Sequence, residues 1–227
     1  MMTEYMPTFQ EVVRARYSCR GFKPDPVPSE LMMQVLEEAQ LAPSNCNTQP
    51  WSVHIVSGAK LAELSTLLHQ KNQEQVYTPD FTFDLNDYGG VYQERQKAQG
   101  KAYYEGLGIA RDDVEGRRRA EGYNFSFFNA PHVALLFMPP FGDCVRAAGD
   151  IGMYGQTFLL SLAARGLAGI PQTSLGFFAD TIREFLGITG NHKMLFGISF
   201  GYPDDQAAGC HIDMGRVPIG DSVTFHE

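Results

Sequence analysis

Cysteine, tryptophan and basic residues are scarce in this chain, and each scarcity excludes something. The four cysteines among 227 residues (Cys19, Cys46, Cys144, Cys210) form no C-x-x-C pair and no zinc-like spacing, so neither a disulfide framework nor a metal site is expected. Lysine and arginine total 18 against 26 aspartates and glutamates, which leaves a formal charge of -8 and a pI near 5.2. That balance argues against a nucleic-acid partner, which calls for a basic face. The one basic run, Arg117-Arg118-Arg119, lies between Glu115 and Glu121 on a helical pattern and reads as a solvated face. No apolar run approaches the roughly 18 residues of a membrane span. The opening Met1-Met2-Thr3-Glu4-Tyr5-Met6 lacks the charged and apolar regions of a secretory signal. A cytoplasmic protein with reduced thiols and no membrane contact is therefore expected. Several standard catalytic signatures are missing too: no G-x-G-x-x-G after a strand, no G-x-x-x-x-G-K-[ST] and no H-E-x-x-H. The six histidines are scattered without ligand spacing, and Asp84, Asp87, Asp112, Asp113, Asp204 and Asp205 read as turn and cap residues.

What is present is enough apolar sequence, 44%, for one substantial core, and a single domain over 1–227 is expected. Thr8-Phe9-Gln10-Glu11 has the capping-box form and opens a short helix that ends at Arg16. Ser29 is placed to cap a second helix, which Pro43 ends. Strands are expected at Trp51–Val56, His132–Met138 and Met194–Phe200. Helices are expected at Lys60–Gln70, Val91–Glu105, Asp112–Tyr123 and Val145–Arg165, and one capped by Asp180 that runs to Leu186 before Gly187. The Val145–Arg165 helix is apolar on several sides, which places it centrally or between subunits. The pattern breaks down from about Val76 to Gly90, a loop of the length that often covers a site. Mixed helices and strands of this kind indicate α+β, helices around one central sheet.

Four segments could carry chemistry. Arg16-Tyr17-Ser18-Cys19-Arg20 sets two guanidinium groups and a hydroxyl within five residues, a combination suited to phosphate. Tyr17 and Phe22 are apolar enough to draw the segment inward, where an arginine needs an anionic partner. Ala42-Pro43-Ser44-Asn45-Cys46-Asn47-Thr48-Gln49-Pro50-Trp51 crowds three amides, two prolines and the only tryptophan into ten residues, an arrangement that can hold a flat polar heterocycle. Gly169-Ile170-Pro171-Gln172-Thr173-Ser174-Leu175-Gly176 lets backbone approach a ligand closely. Arg216, in Met214-Gly215-Arg216-Val217-Pro218, matters only if the tail folds back on the site. Taken singly, each has a plain alternative: a solvated basic turn, a proline-bounded connector, a helix-to-strand loop, a solvated tail arginine.

Taken in order, these segments resemble the FMN-dependent nitroreductase family. The likeness rests on R-x-S-x-R, A-P-S-x-x-N-x-Q-P-W, the Gly169–Gly176 loop, and G-I-S-F-G-Y-P-D followed by an arginine. Asp150-x-Gly152-x-x-x-Gln156 is similar to the family's central dimer helix, and the insert Tyr88–Phe128 is similar to that of the nitrobenzoate-reductase-like subset.

The resemblance implies a nitroreductase-like sandwich, a central mixed sheet surrounded by helices, that works as an intertwined homodimer with FMN at the interface. It implies a lid or insert over about 76–128 and a C-terminal arm over about 203–227. Arg16, Ser18 and Arg216 match positions near the phosphate and ribityl chain, with Tyr17 among the cofactor contacts. Arg20 matches the cation near N1 and O2 of the ring. Pro43, Ser44, Asn45 and Asn47 match the partner subunit's loop. Pro171, Gln172, Ser174, Leu175 and Gly176 match the loop under the ring near N5. Several family members have an acidic residue beside that glycine and this chain has none, so the N5 donor is left open. Tyr88, Tyr92 and Tyr104 are the expected substrate contacts, with Arg95, Lys97 or Lys101 available for a carboxylate. The implied activity is reduction of nitroaromatic compounds with NADH or NADPH by a ping-pong mechanism, in which FMN carries the chemistry and no side-chain nucleophile or metal is needed. The alternatives are an enone, quinone or flavin reductase or a reductive dehalogenase of the same fold, and a non-catalytic FMN-binding electron carrier.

Overall fold

The computed structural model describes residues 7–227; Met1–Met6, read above for signal character, lie outside them. Its centre is β2 (His132–Met138), in which every residue is buried. A strand so apolar must be covered on both faces. Val133, Leu135 and Phe137 point into one core, Ala134, Leu136 and Met138 into another, as the two-residue period of a strand requires. Three further strands complete the sheet: β1 (Ser52–Ser57), β3 (Ala168–Gln172) and β4 (Lys193–Gly201), in the order β1-β2-β4-β3. All three ladders are antiparallel. The parallel component of the expected mixed sheet is a single bridge, between Ser18 and Gly169.

Helices cover both faces. Against the first lie α3 (Gly58–Gln73), through Leu61, Leu64 and Leu68, and α7 (Ala179–Leu186), through Ala179 and Ile182, together with Phe125, Phe127 and Phe128. Against the second lie α2 (Ser29–Ala39) and α6 (Val145–Ala164), the latter through Ile151, Tyr154, Phe158, Leu159 and Leu162. The remaining helices are α1 (Phe9–Ala15), α4 (Gly90–Gly106) and α5 (Val114–Gly122). No residue of α4 is buried. Among the described residues no helix is long and apolar enough to cross a membrane.

Local chemistry explains most boundaries. The capping box forms: Thr8 accepts from the Glu11 N–H and the Glu11 carboxylate accepts from the Thr8 N–H. Gly187 ends α7 at φ 66°, a left-handed conformation that a Cβ disfavours. Ser29 is not the cap of α2. That position falls to Pro28, whose ring pre-sets the entry into the helix, and Ser29 is the first helical residue. Asp180 likewise sits inside the first turn of α7 and turns to Arg183; Phe178 is the capping residue and makes no side-chain bond. The segment from Gly169 is not a loop from its start. Residues 168–172 are an edge strand, β3, and the connection proper is a 3₁₀ turn over Thr173–Phe178.

Candidate active site

The Arg16–Arg20 segment leaves α1 and runs along the free edge of β3. Ser18 bridges Gly169, and the Cys19 N–H donates to the Gly169 carbonyl at 3.4 Å. Gly169 itself is required by packing on the other side: a Cβ there would meet Leu159 of α6 at 2.7 Å. The far side is tied to the tail by Phe22–Pro203 pairing and by the Asp204 N–H to the Gly21 carbonyl, 3.0 Å. The first and third sequence motifs thus meet at one sheet edge.

A cavity of about 340 Å³ opens there, bounded by Arg16, Tyr17, Gly169, Pro203, Asp205 and His211. Tyr17 stacks on His211 with ring centroids 3.8 Å apart and its hydroxyl lies 3.7 Å from Cys210 Sγ. Beneath it Cys19 and Cys210 are free buried thiols, their sulfurs 3.5 Å apart, and burial pushes Cys19 up to about 12. The tail does fold back: burial, and then the nearby charge of Arg216, hold Arg16 below its ordinary pKa. Arg20 is also held down by burial, opposed by Tyr103 and Cys19. Among the described residues neither Arg16, Arg20 nor Arg216 has a carboxylate within ion-pair distance. The part-buried Arg165 and Arg183, by contrast, are paired with Glu38 and with Asp80 and Asp180. The part-buried Arg16 and Arg20, with the exposed Arg216 near Arg16, form a cluster whose chemistry suits an anion.

The other predicted residues divide. Pro171 is exposed on β3, and Ser174 lines a second, mainly apolar cavity of about 400 Å³ with Tyr77, Phe83, Asn124, Phe125 and Phe177. Leu175 and Gly176 are buried and not open to a ligand in one protomer. Gln172 is buried with its amide committed: Nε2 donates to the Asn124 carbonyl at 3.0 Å, and Oε1 accepts from the Ser199 hydroxyl.

The Pro43–Trp51 loop lies elsewhere on the protomer. It is fixed to α6 by the Asn45 N–H to Asp150 Oδ1, 3.0 Å, and to α2 by Trp51 Nε1 to Gln40 Oε1, 2.7 Å. Pro43, Asn45 and Asn47 are exposed, and Cys46, Asn47 and Gln49 all hold positive φ. Three left-handed non-glycine residues in one exposed loop are unusual, and such strain concentrates where ligands bind.

On the insert, Tyr88 is exposed beside Phe83, and Tyr92 is exposed beneath the Arg95 guanidinium. Tyr104 is half-buried under Arg117, at 4.7 Å, and burial raises its pKa. The residue that reaches the Arg16–Arg20 segment is its neighbour, Tyr103, whose ring lies 5.0 Å from the Arg20 guanidinium. In the sequence Tyr103 is one of several aromatics of the insert and His211 one of six scattered histidines, with no pattern that singles either out. No group of three or more His, Cys, Asp or Glu side chains among the described residues could hold a metal.

The Nitroreductase family profile matches residues 13–202. The chain belongs to the nitroreductase family. It is 43% identical over 219 residues to Nitroreductase NfnB of Mycolicibacterium smegmatis, covering 95% of this chain and 92% of that relative. It is 35% identical over 208 residues to the 4-nitrobenzoate reductase of Pseudomonas putida, covering 92% and 91%. The crystal structure of the FMN-dependent nitroreductase NfnB from Mycobacterium smegmatis in complex with NADPH superposes with a TM-score of 0.92 at 42% identity, covering 96% of this chain and 97% of that one. This nitroreductase-family chain is thus an oxidoreductase by membership, and its anion site acquires a candidate ligand.

Proposed function

We propose that this nitroreductase is an FMN-dependent enzyme that uses NADPH or NADH to reduce small nitroaromatic compounds. One observation carries the reading: among the described residues Arg16, Arg20 and Arg216 have no carboxylate at ion-pair distance, and Arg16 and Arg20 flank the Ser18 bridge to β3. FMN fits that donor set, because its single phosphate takes Arg16 and Arg216 while its ring offers acceptors to a separate cation at Arg20. When bound, FMN supplies the two-electron redox chemistry between nicotinamide and nitro group. The protein's part is to bind, orient and compensate charge. Arg16, Ser18 and Arg216 would hold the phosphate end, and Arg20 would serve the pyrimidine edge. Pro171 and Ser174 would lie on the ring side, and the insert over 76–128 would close the acceptor side.

The reading includes a homodimer. The outward face of α6 carries Gly149, Gly152 and Met153, with Met153 40% exposed, and a Cβ on either glycine would meet nothing within 4 Å. The arm carries Ile219, Val223 and Phe225, all exposed. Apolar surface spread over a central helix and an extended arm fits a second copy wrapped around the first. A partner would also bring its Pro43–Asn47 loop to this Arg20, which explains why that loop is exposed and strained in one protomer. Cytoplasmic location follows from dependence on nicotinamide nucleotides.

The test is to purify the protein, release its flavin by heat, and assay oxidation of both nucleotides with nitrobenzoate, nitrobenzene, a quinone and an enone. FMN with nitro reduction is expected. Release of FAD or no flavin overturns the cofactor, and turnover confined to quinone or enone overturns the substrate. Flavin without turnover would make the protein an electron carrier.

A further inference from the structure

We propose that Tyr103 of the insert is a positioning residue for Arg20: its ring aims the guanidinium at the redox cofactor without neutralising it. The inference rests on the reading that Arg20 faces the FMN ring.

The chain holds its part-buried arginines in two ways. Arg165 is clamped by Glu38, 2.6 and 2.8 Å, and Arg183 by Asp80 and Asp180. A carboxylate fixes a guanidinium in place and cancels its charge. Arg20 has no such partner among the described residues; its one hydrogen bond runs from Nη1 to the Ser18 carbonyl at 3.3 Å. Four of its five N–H donors are left for something else. What orients it is the Tyr103 face at 5.0 Å, within the range of a cation–π contact. An aromatic face holds the cation yet leaves both the charge and the in-plane donors available.

Tyr103 is itself well fixed. Its hydroxyl donates to the Ala120 carbonyl of α5 at 3.3 Å, and its ring packs on Tyr104 with centroids 5.4 Å apart. Burial pushes the phenol up to about 12, with the Arg20 cation opposing, so the ring stays neutral at working pH. α4, in which no residue is buried, thus meets the Arg16–Arg20 segment through the Tyr103–Arg20 contact. Reduction of a flavin adds negative charge at its pyrimidine edge, and a cation held there in advance favours the reduced form. Without the ring, Arg20 is free to turn its donors to water, and reduced FMN loses more than oxidised FMN.

The experiment measures oxidised and reduced FMN affinity, and the flavin midpoint potential, in wild type, Tyr103→Leu, Tyr103→Phe, Tyr103→Trp and Arg20→Ala. Tyr103→Leu is expected to weaken reduced FMN about five-fold more than oxidised FMN. That is a negative shift of about 20 mV, at about 30 mV per tenfold for a two-electron couple. Phe and Trp keep a face for Arg20 and are expected to stay within about two-fold of wild type; Arg20→Ala shifts the potential further in the same direction as Leu. If Arg20→Ala shifts the potential and Tyr103→Leu does not, the positioning role is overturned. If Phe behaves like Leu, the hydroxyl contact to Ala120 is what matters and the proposal is overturned as well. An unchanged potential in Arg20→Ala instead removes the reading of Arg20 itself.

Discussion

Arg16 and Arg20 stand four residues apart on one extended segment, yet their surroundings assign them different work. Arg16 shares its neighbourhood with a second cation, Arg216, an arrangement that a phosphate would relieve. Arg20 faces an aromatic ring and not another cation. Arg16→Ala is therefore expected to weaken FMN binding ten- to a hundred-fold, about 1.5–3 kcal/mol for a lost charge-assisted contact. Arg20→Ala is expected to lose less affinity and to slow flavin reduction by NADPH more. Flavin titration and stopped-flow reduction on both variants measure the division, and equal effects in both assays would show that the two arginines share one role. The sequence made these arginines visible because two guanidinium groups and a hydroxyl in five residues have few other uses. It could not separate Gln172 from Asn45, since an amide looks the same whether it meets a ligand or a neighbour. Gln172 is consumed by Asn124, 48 positions away, and Ser199, 27 away. Nor could it choose Tyr103 over Tyr104: adjacent helical residues point about 100° apart, and only the packing of α4 decides which one meets Arg20.

At the scale of elements, the sheet and its covering helices were legible wherever a single periodicity ran unbroken, as in β2 and α6. β3 was not, because a five-residue edge strand containing Gly169 and Pro171 carries the marks of a loop. The insert was recognisable as an interruption, but its attachment was hidden in one ordinary-looking acid. Asp80, 4% exposed, accepts from Arg183, from Lys193 at 3.1 Å and from the Met194 N–H at 2.7 Å, and so ties the strap after α3 to α7 and β4. Burial pushes its carboxyl up, but Arg183, Met194 and Lys193 together pull it down further, so it lies below the ordinary carboxylate range. A depressed folded-state pKa gives stability that is complete above the unfolded value of about 4 and lost as pH falls through the folded one. Asp80→Asn is expected to cost about 3 kcal/mol at pH 7, as for one partner removed from a buried ion pair. In urea melts that difference should shrink below about pH 4, where the unfolded chain's carboxylate takes up a proton that the folded one still refuses. A difference that holds constant down to pH 3 would remove the charge as its cause. For the insert itself, Tyr88, Tyr92 and Tyr104 replaced singly by leucine should alter the ranking of nitrobenzoate, uncharged nitroaromatics and quinones while FMN content stays intact. If none of the three moves that ranking, the insert is structural cover.

At the scale of the whole molecule, a single protomer holds only part of the proposed site. Arg16, Ser18 and Arg20 line one edge of the sheet, whereas the strained Pro43–Asn47 loop is fastened to α6 and α2. If the loop of a second copy completes the site, flavin binding and dimerisation must rise and fall together. Gly152 offers a clean lever on α6: a Cβ there touches nothing within 4 Å in the protomer, so Gly152→Glu leaves the two cores undisturbed. Exchanging a helical glycine for glutamate is, if anything, favourable to the isolated helix. In a dimer the same change buries a charge with no partner, which costs several kcal/mol per ion and occurs twice by symmetry. Sedimentation of the wild-type protein should show no folded monomer at micromolar concentration. Gly152→Glu should sediment as a monomer or weakened dimer, retain its helical circular dichroism, and lose FMN although Arg16 and Arg20 are untouched. A yellow, stoichiometrically loaded monomer from either protein would break the link, because the flavin site would then be complete within one chain.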